Sequence, residues 1–351
     1  MFAVEGEFVF STVVLITNNC PSYVLAVAMT EENEESTRAP KWFTIPHTQV
    51  ERNATLLWGI VTVGVVIVAG FVGFELAGTF ASFAPGATLV LLVTIPIMLY
   101  LIPQSETGSP QINRRMTIIV LCWFLSTVLV VPILGFNLSS VLLALAFFAL
   151  GFIGPLLYLR YNQGLTLSSL GFWFDTKRNI LASLGVTIVY GLLVFVQFGF
   201  REWMGFISLV DFEPGIDPFA LLPLAFVFGA FFTLIAAALP EELVFRTVLQ
   251  SHFAEHRGRV MGILLASLVF GLFHFYVNTL LYQTFYASNL TSSVLMSALV
   301  HAFIYQAQAG LIFGVAWERT RNLLLPVMLH TVHNALEMLP YYLGVMLGLF
   351  F

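Results

Sequence analysis

Apolar residues in this chain fall in long runs, without the three-and-four spacing of a half-exposed helix. The runs lie near Thr55–Leu76, Ala87–Ile102, Thr117–Leu134, Ser139–Leu159, Ile180–Phe200, Phe219–Leu239, Val260–Asn278, Ser293–Trp317 and from Leu323 onward. A helix needs ~20 apolar residues to cross a hydrocarbon core, and these runs approach or exceed that length. The dyad alternation of an outer-membrane barrel is missing. The pattern predicts an all-α fold, a polytopic transmembrane helix bundle of about eight to ten spans. The final run, Leu323–Phe351, is longer than one span needs and is interrupted at Pro340, so it either crosses once or bends back.

Composition agrees with this reading. Of 351 residues, 59% are hydrophobic and 9% charged. A soluble protein carries about 25% charged residues, so a soluble globular domain is excluded. Charge also gives an orientation. Arg38, Lys41, Arg52, Arg114, Arg115, Arg160, Lys177, Arg178, Arg246, Arg257, Arg259, Arg319 and Arg321 fall on alternate loops. Arg201 falls on the other side, among Glu202, Asp211, Glu213 and Asp217. Positive loops face the cytoplasm, so a multi-pass protein of the cell membrane is expected. Two cysteines, Cys20 and Cys122, exclude a disulfide framework and a Cys-rich metal site. Cys122, mid-run, is expected to be a small buried hydrophobe.

The chain divides by character. Residues 1–54 form an N-terminal extension whose acidic stretch, Glu31, Glu32, Glu34 and Glu35, suggests partial disorder. Its apolar pieces, Phe8–Ile16 and Tyr23–Met29, are interrupted by Asn18, Asn19 and Pro21. Glu5 and Glu7 stand where a signal peptide is positive, and Met29 is an alternative start. Residues 55–200 hold transmembrane helices with Glu75 as their only acid, read as structural. No internal repeat of the kind that builds two-halved transporters is visible. Residues 219–338 differ, because acids, histidines and amides now sit inside apolar runs. Polar groups at such depth face a bundle interior or a water-filled cavity. Residues 339–351 are an apolar tail.

Three patterns carry candidate chemistry. In the run Glu241-Glu242-Leu243-Val244-Phe245-Arg246, Glu242 and Arg246 are four apart, in the favourable order for a helical ion pair. Glu241 is turned ~100° away, so one carboxylate is neutralised while the other stays available. The plain alternative is a helix end with solvated charges. The second pattern, Phe270-Gly271-Leu272-Phe273-His274, puts a histidine mid-run. The third, His330-Thr331-Val332-His333-Asn334, puts His330 and Asn334 on one helix face. For both, hydrogen bonding between helices is the plain alternative. Depth ties the three together. Helix rise puts Glu241 ~18 Å, His274 ~21 Å and His330 ~12 Å from the cytoplasmic ends of their helices, which predicts one buried polar site.

At these residues the chain resembles the CPBP family of intramembrane proteases. That family includes type II CAAX prenyl endopeptidases and bacteriocin-processing, Abi-like proteins. Its motifs EExxxR, FxxxH and HxxxN/D correspond here to Glu241-Glu242 with Arg246, Phe270 with His274, and His330 with Asn334, in that order. The resemblance covers roughly residues 219–338. It implies that Glu241 activates water with help from His274, and that His330 and Asn334 stabilise the oxyanion. Glu242 and Arg246 would support the helix and the charge balance. No serine or cysteine is placed as an obvious nucleophile, which also favours an activated water. A zinc version, with Glu241, His274 and His330 as ligands, stays open, although HExxH is absent and Arg246 brings positive charge close. The preferred reading has no cofactor and no metal. His301, Tyr305 and Gln308 form a helical stripe read as interhelical glue, and His333 is left outside the site.

The expected partners are a membrane-anchored peptide or protein substrate, lipidated or not, and the lipid bilayer, with no nucleic acid. The alternatives to an endopeptidase are a non-catalytic membrane scaffold or immunity protein, and a transporter with an acid–histidine relay. The clustering of polar residues in one third of the chain argues against the transporter.

Overall fold

A computed structural model describes residues 74–105, 110–134, 140–173, 177–199, 204, 217–286, 298–299 and 301–346. These belong to one compact unit, His47–Phe351. The N-terminal extension, most of the run Thr55–Leu76 and the loop with Arg201, Glu202, Asp211 and Glu213 lie outside the described residues. Every described element is helical. Among the described residues, three helical stretches are long and apolar enough to cross a membrane: Ala144–Gln163, Asn179–Gly199 and Phe219–Arg257. Leu89–Leu101 and Arg259–Phe275 are shorter apolar helices. Exposed residues such as Leu92, Ile188, Leu192, Val227 and Phe231 make the outer surface apolar, as a lipid-facing surface must be. Cys122, expected to be buried, is exposed on such a face.

The first helices are α1 (Phe74–Leu101), α2 (Arg114–Leu134) and α3 (Ser140–Phe148). A π-helical run, Ala149–Ile153, joins α3 to α4 (Gly154–Gln163). Then comes α5 (Lys177–Val194). Helix α1 starts earlier than the run at Ala87 suggests, because Gly, Ser and Thr break the hydropathy pattern without breaking the helix.

The decisive difference from expectation lies further on. The run ending at Leu239 and the following polar helix are one continuous course from Pro218 to Arg257. It comprises α6 (Pro218–Thr233), a π run at Leu234–Ala238, α7 (Leu239–Glu242), a second π run at Leu243–Gln250, and α8 (Ser251–Arg257). Asp217 starts it, accepting from the Phe219 N–H at 2.9 Å. Pro240 has no N–H for the Ala236 carbonyl, and the backbone widens just before it. Gly258, at φ 83°, ends α8 and turns the chain into α9 (Arg259–Tyr286). A Cβ at Gly262 would come within 2.9 Å of the Ala254 backbone, so glycine is what lets α8 and α9 meet this closely.

Next come a π run at His301–Gln306, α10 (Ala307–Thr320), α11 (Leu324–Glu337) and α12 (Leu339–Met346). Helix α10 is buried along its whole length and forms the axis of the C-terminal part. Gln250 reaches it, donating to the Gly314 carbonyl at 2.9 Å. The final run is broken at Met338, and Tyr342 of α12 bonds Thr233 of α6 at 2.7 Å. The tail therefore bends back onto α6.

The charge pattern needs correction here. Arg246 is not in a loop but fully buried on a helix. Arg319 and Arg321 are buried too. Arg319 donates to the carbonyls of Ile102 and Leu99, capping the end of α1, and Arg321 pairs with buried Glu318. These three cations are structural, so their positions say little about membrane orientation.

Candidate active site

The carboxylate pair stands on α7, a single α turn between two π runs. Interruptions of this kind recur at functional sites because they re-aim side chains. Every residue from Pro240 to Ser251 is buried.

Glu242 is fully engaged. Its Oε2 accepts from Arg246 Nε at 2.8 Å, with both side chains inaccessible to solvent. Its Oε1 accepts from His330 Nδ1 at 2.8 Å. The Arg246 guanidinium lies 5.0 Å from the Phe270 ring centroid and 5.8 Å from that of Phe313. Its Nη1 and Nη2 have no hydrogen-bond partner. Two aromatic faces thus stand beside the charge where hydrogen bonds do not.

Two histidines are held by their Nδ1 atoms. His274 donates from Nδ1 to the Phe270 carbonyl at 2.9 Å, leaving Nε2 as the lone-pair nitrogen. His330 donates from Nδ1 to Glu242, and Asn334 Nδ2 lies 3.2 Å from its Nε2. The His330 ring stacks on Phe313, with centroids 5.1 Å apart and planes at 18°. Phe270 packs on His274 at 4.3 Å and on His330 at 5.7 Å. The phenylalanine of the second motif is therefore a wall shared by both histidines and the arginine.

Glu241 is engaged differently. Its Oε2 is buried and has no hydrogen-bond partner. It lies 3.7 Å from His274 Nε2 and 3.8 Å from His330 Nε2. Those separations are too long for direct hydrogen bonds and within reach of one bridging water. The six polar motif residues, Glu241, Glu242, Arg246, His274, His330 and Asn334, are brought into one connected cluster. Phe313 carries no local signal, since an aromatic in an apolar run looks like any core residue, and neither does the Glu242–His330 bond, which joins residues far apart in the chain.

Zinc chemistry was tested against this geometry. Glu241, His274 and His330 offer suitable atoms, but tetrahedral zinc with bonds of ~2.0–2.1 Å holds its ligand atoms ~3.3 Å apart. The separations of 3.7 and 3.8 Å are wider, and Asn334 faces His330 Nε2. The three do not form a set of ligand atoms within 4.8 Å of one another, a condition met among the described residues by His252, Glu255 and His256. No mechanistic step is routed through a metal.

His333 and the stripe on His301–Gln306 join a second cluster. His333 Nδ1 bonds the Tyr190 hydroxyl at 2.7 Å, and His301 Nε2 bonds Glu337 Oε1 at 2.9 Å. An apolar cavity of about 320 Å³ lies between α2 and α9, lined by Leu121, Leu125, Val128, Phe245, Val269, Leu272 and Phe273. Phe245 and Phe273 immediately precede Arg246 and His274 in the chain.

Fold and site define a helical membrane protein with a buried glutamate–histidine centre, the equipment of an intramembrane hydrolase. Residues 223–336, the segment that carries all three motifs, match the family model of type II CAAX prenyl endopeptidase Rce1-like proteins. No curated protein and no solved structure matches the chain.

Proposed function

We propose that the chain is an intramembrane endopeptidase in which Glu241 activates a water for attack on a peptide carbonyl. The observation that carries this is the buried, unpartnered Glu241 Oε2 facing two imidazole nitrogens at 3.7 and 3.8 Å. The carboxylate takes the proton as the water oxygen bonds to the carbonyl carbon. His274 Nε2 accepts a second hydrogen bond from that water and orients it. The oxyanion receives the remaining N–H of the Asn334 amide, which His330 Nε2 holds in place by accepting the other. Glu242 holds His330 in register through Nδ1, and Arg246 balances Glu242. The proton on Glu241 then passes to the leaving amine as the C–N bond breaks.

The substrate in this reading is a membrane-anchored peptide, and a prenylated one fits the family. The apolar cavity beside Phe245 and Phe273 supports a lipid-bearing substrate, because a hydrocarbon chain there would lie one residue away from the site's own side chains. The wider proposal is a multi-pass cell-membrane protein of about eight to ten spans whose site opens to the cytoplasm. Labelling of cysteines introduced at positions 211–217 tests the orientation, and cytoplasmic reactivity there overturns it.

Cleavage of a fluorogenic prenylated peptide in proteoliposomes tests the function. Wild type is expected to cleave it and Glu241→Gln to fail. Activity that disappears with a chelator and returns with zinc would replace the metal-free mechanism by the zinc version. If Glu241→Gln cleaves as wild type does, the scaffold reading prevails.

A further inference from the structure

Beyond the buried centre, α8 carries a second constellation of ligand types. His252, Glu255 and His256 occupy one helix face, at spacings that bring side chains together. One donor atom from each lies within 4.8 Å of those of the other two. His252 is half-buried, while Glu255 and His256 are exposed and reachable from solution.

A hydrogen bond decides which nitrogen His256 leaves open. His256 donates from Nδ1 to the His252 carbonyl at 2.9 Å, which leaves Nε2 with its lone pair. The His252 ring lies beside the Ile112 backbone, and its Nδ1 is buried with no hydrogen-bond partner among the described residues. The two rings lie 4.3 Å apart by centroid. An imidazole whose second nitrogen donates to a backbone carbonyl, as that of His256 does, is oriented in the way that ligating histidines are.

We propose that His252, Glu255 and His256 form a site for a divalent transition metal, with zinc the best-suited ion. Two neutral imidazoles and one carboxylate suit zinc, with water completing the tetrahedron. Glu255 supplies the negative charge, and Arg114, whose charge reaches His252, opposes binding. All three ligands sit on α8, within the last two turns before Gly258. A bound ion clamps that turn, at the end of the helical course that carries Glu241 and Glu242. This inference does not depend on the proteolytic reading.

Zinc binding to the detergent-purified full chain tests it, by competition with a chromophoric chelator and by thermal shift. Wild type is expected to bind one zinc in excess of the double variant His252→Ala/His256→Ala, and to melt at higher temperature with zinc. Glu241→Gln/His274→Ala should keep that binding in full, which separates this site from a zinc ion in the buried centre. His256→Ala alone should weaken it by more than the roughly 10–100-fold that an outer-shell partner is worth. His256→Gln, which keeps a polar group at the exposed position, guards against misfolding and should weaken it similarly. Cobalt(II) should give a tetrahedral absorption band in wild type that the double variant lacks. Equal zinc affinity in wild type and the double variant, or loss of binding in Glu241→Gln/His274→Ala alone, overturns the proposal.

Discussion

The centre around Glu241 and the cluster around Glu337 are built from the same residue types and meet α11 at neighbouring turns. In the second, Glu337 Oε1 bonds His301 Nε2 at 2.9 Å, and Oε2 lies 3.6 Å from His333 Nε2. His333 in turn bonds Tyr190. One oxygen of that carboxylate is closed by direct contact, and ring packing of Tyr305 on His333 at 4.9 Å fills the space beside the other. In the first, the carboxylate oxygen stands back from both histidines. An unsatisfied buried acceptor costs about 1–3 kcal/mol, more when charged. Residue type does not separate site from glue here. What separates them is which carboxylate has been left open at the expense of stability, the mark of a group kept for function.

The largest effect expected from this contrast is kinetic. Glu241→Gln keeps shape and volume but cannot take a proton from water. Cleavage should fall by about 10²–10⁴, the usual contribution of a positioned base. Melting temperature should hold or rise, because Glu241 bonds nothing that the amide would lose. A variant that unfolds instead would put Glu241 on the side of structure and erase the contrast.

Glu242→Gln should act through stability. The change removes the charge partner of buried Arg246 and weakens the anchor of His330. Breaking a buried ion pair costs about 3–5 kcal/mol. Denaturant unfolding in detergent should show a loss of that order, with activity falling alongside. A loss below about 1 kcal/mol, as for a surface pair, would mean that the Phe270 and Phe313 faces hold the guanidinium without help.

Phe270→Leu is expected to be milder. It removes one aromatic face from Arg246 and the wall shared by His274 and His330. The cation–π contribution is about 0.5–2 kcal/mol, with further loss from packing. Turnover should drop while the KM for a peptide substrate stays near wild type, since the ring orients groups and does not contact the peptide. A pure KM effect would instead make Phe270 part of the binding surface.

Much of this site was legible in the sequence. Motifs with three intervening residues put Glu242 on Arg246 and Asn334 on His330, because helical periodicity fixes such neighbours locally. Helix rise alone put three helices' polar residues at similar depth. What stayed hidden depends on how helices pack. The second cluster joins Tyr190 of α5 to His333 of α11, a contact across 143 positions that no local pattern encodes. Glu337 sits one turn beyond Asn334 and was passed over for lack of a motif. Arg246 was counted with the loop charges because hydropathy sees a cation as a boundary, although Glu242 and two phenyl rings make burial tolerable. The π runs also escaped notice, Pro240 being their one visible sign.

The smallest effect is expected at Tyr190, and it tests the contrast most directly. Tyr190 is fully buried on α5, and its hydroxyl meets His333 Nδ1 at 2.7 Å. Its ring lies nearly parallel to His333, at 18° with centroids 5.9 Å apart. Tyr190→Phe removes the hydroxyl and keeps that ring in place. The loss of one neutral hydrogen bond is worth about 0.5–1.5 kcal/mol, plus a penalty for the ring nitrogen left alone. Thermal unfolding should therefore shift down slightly, and cleavage should continue at the wild-type rate. Phe313 stands between His330 and His333, 5.1 Å from one ring and 6.0 Å from the other, and forms an apolar wall between the two clusters. A wall of that kind passes packing strain but no proton. If Tyr190→Phe lowers turnover by more than about tenfold while melting is unchanged, the clusters communicate and Glu337 belongs to the catalytic machinery.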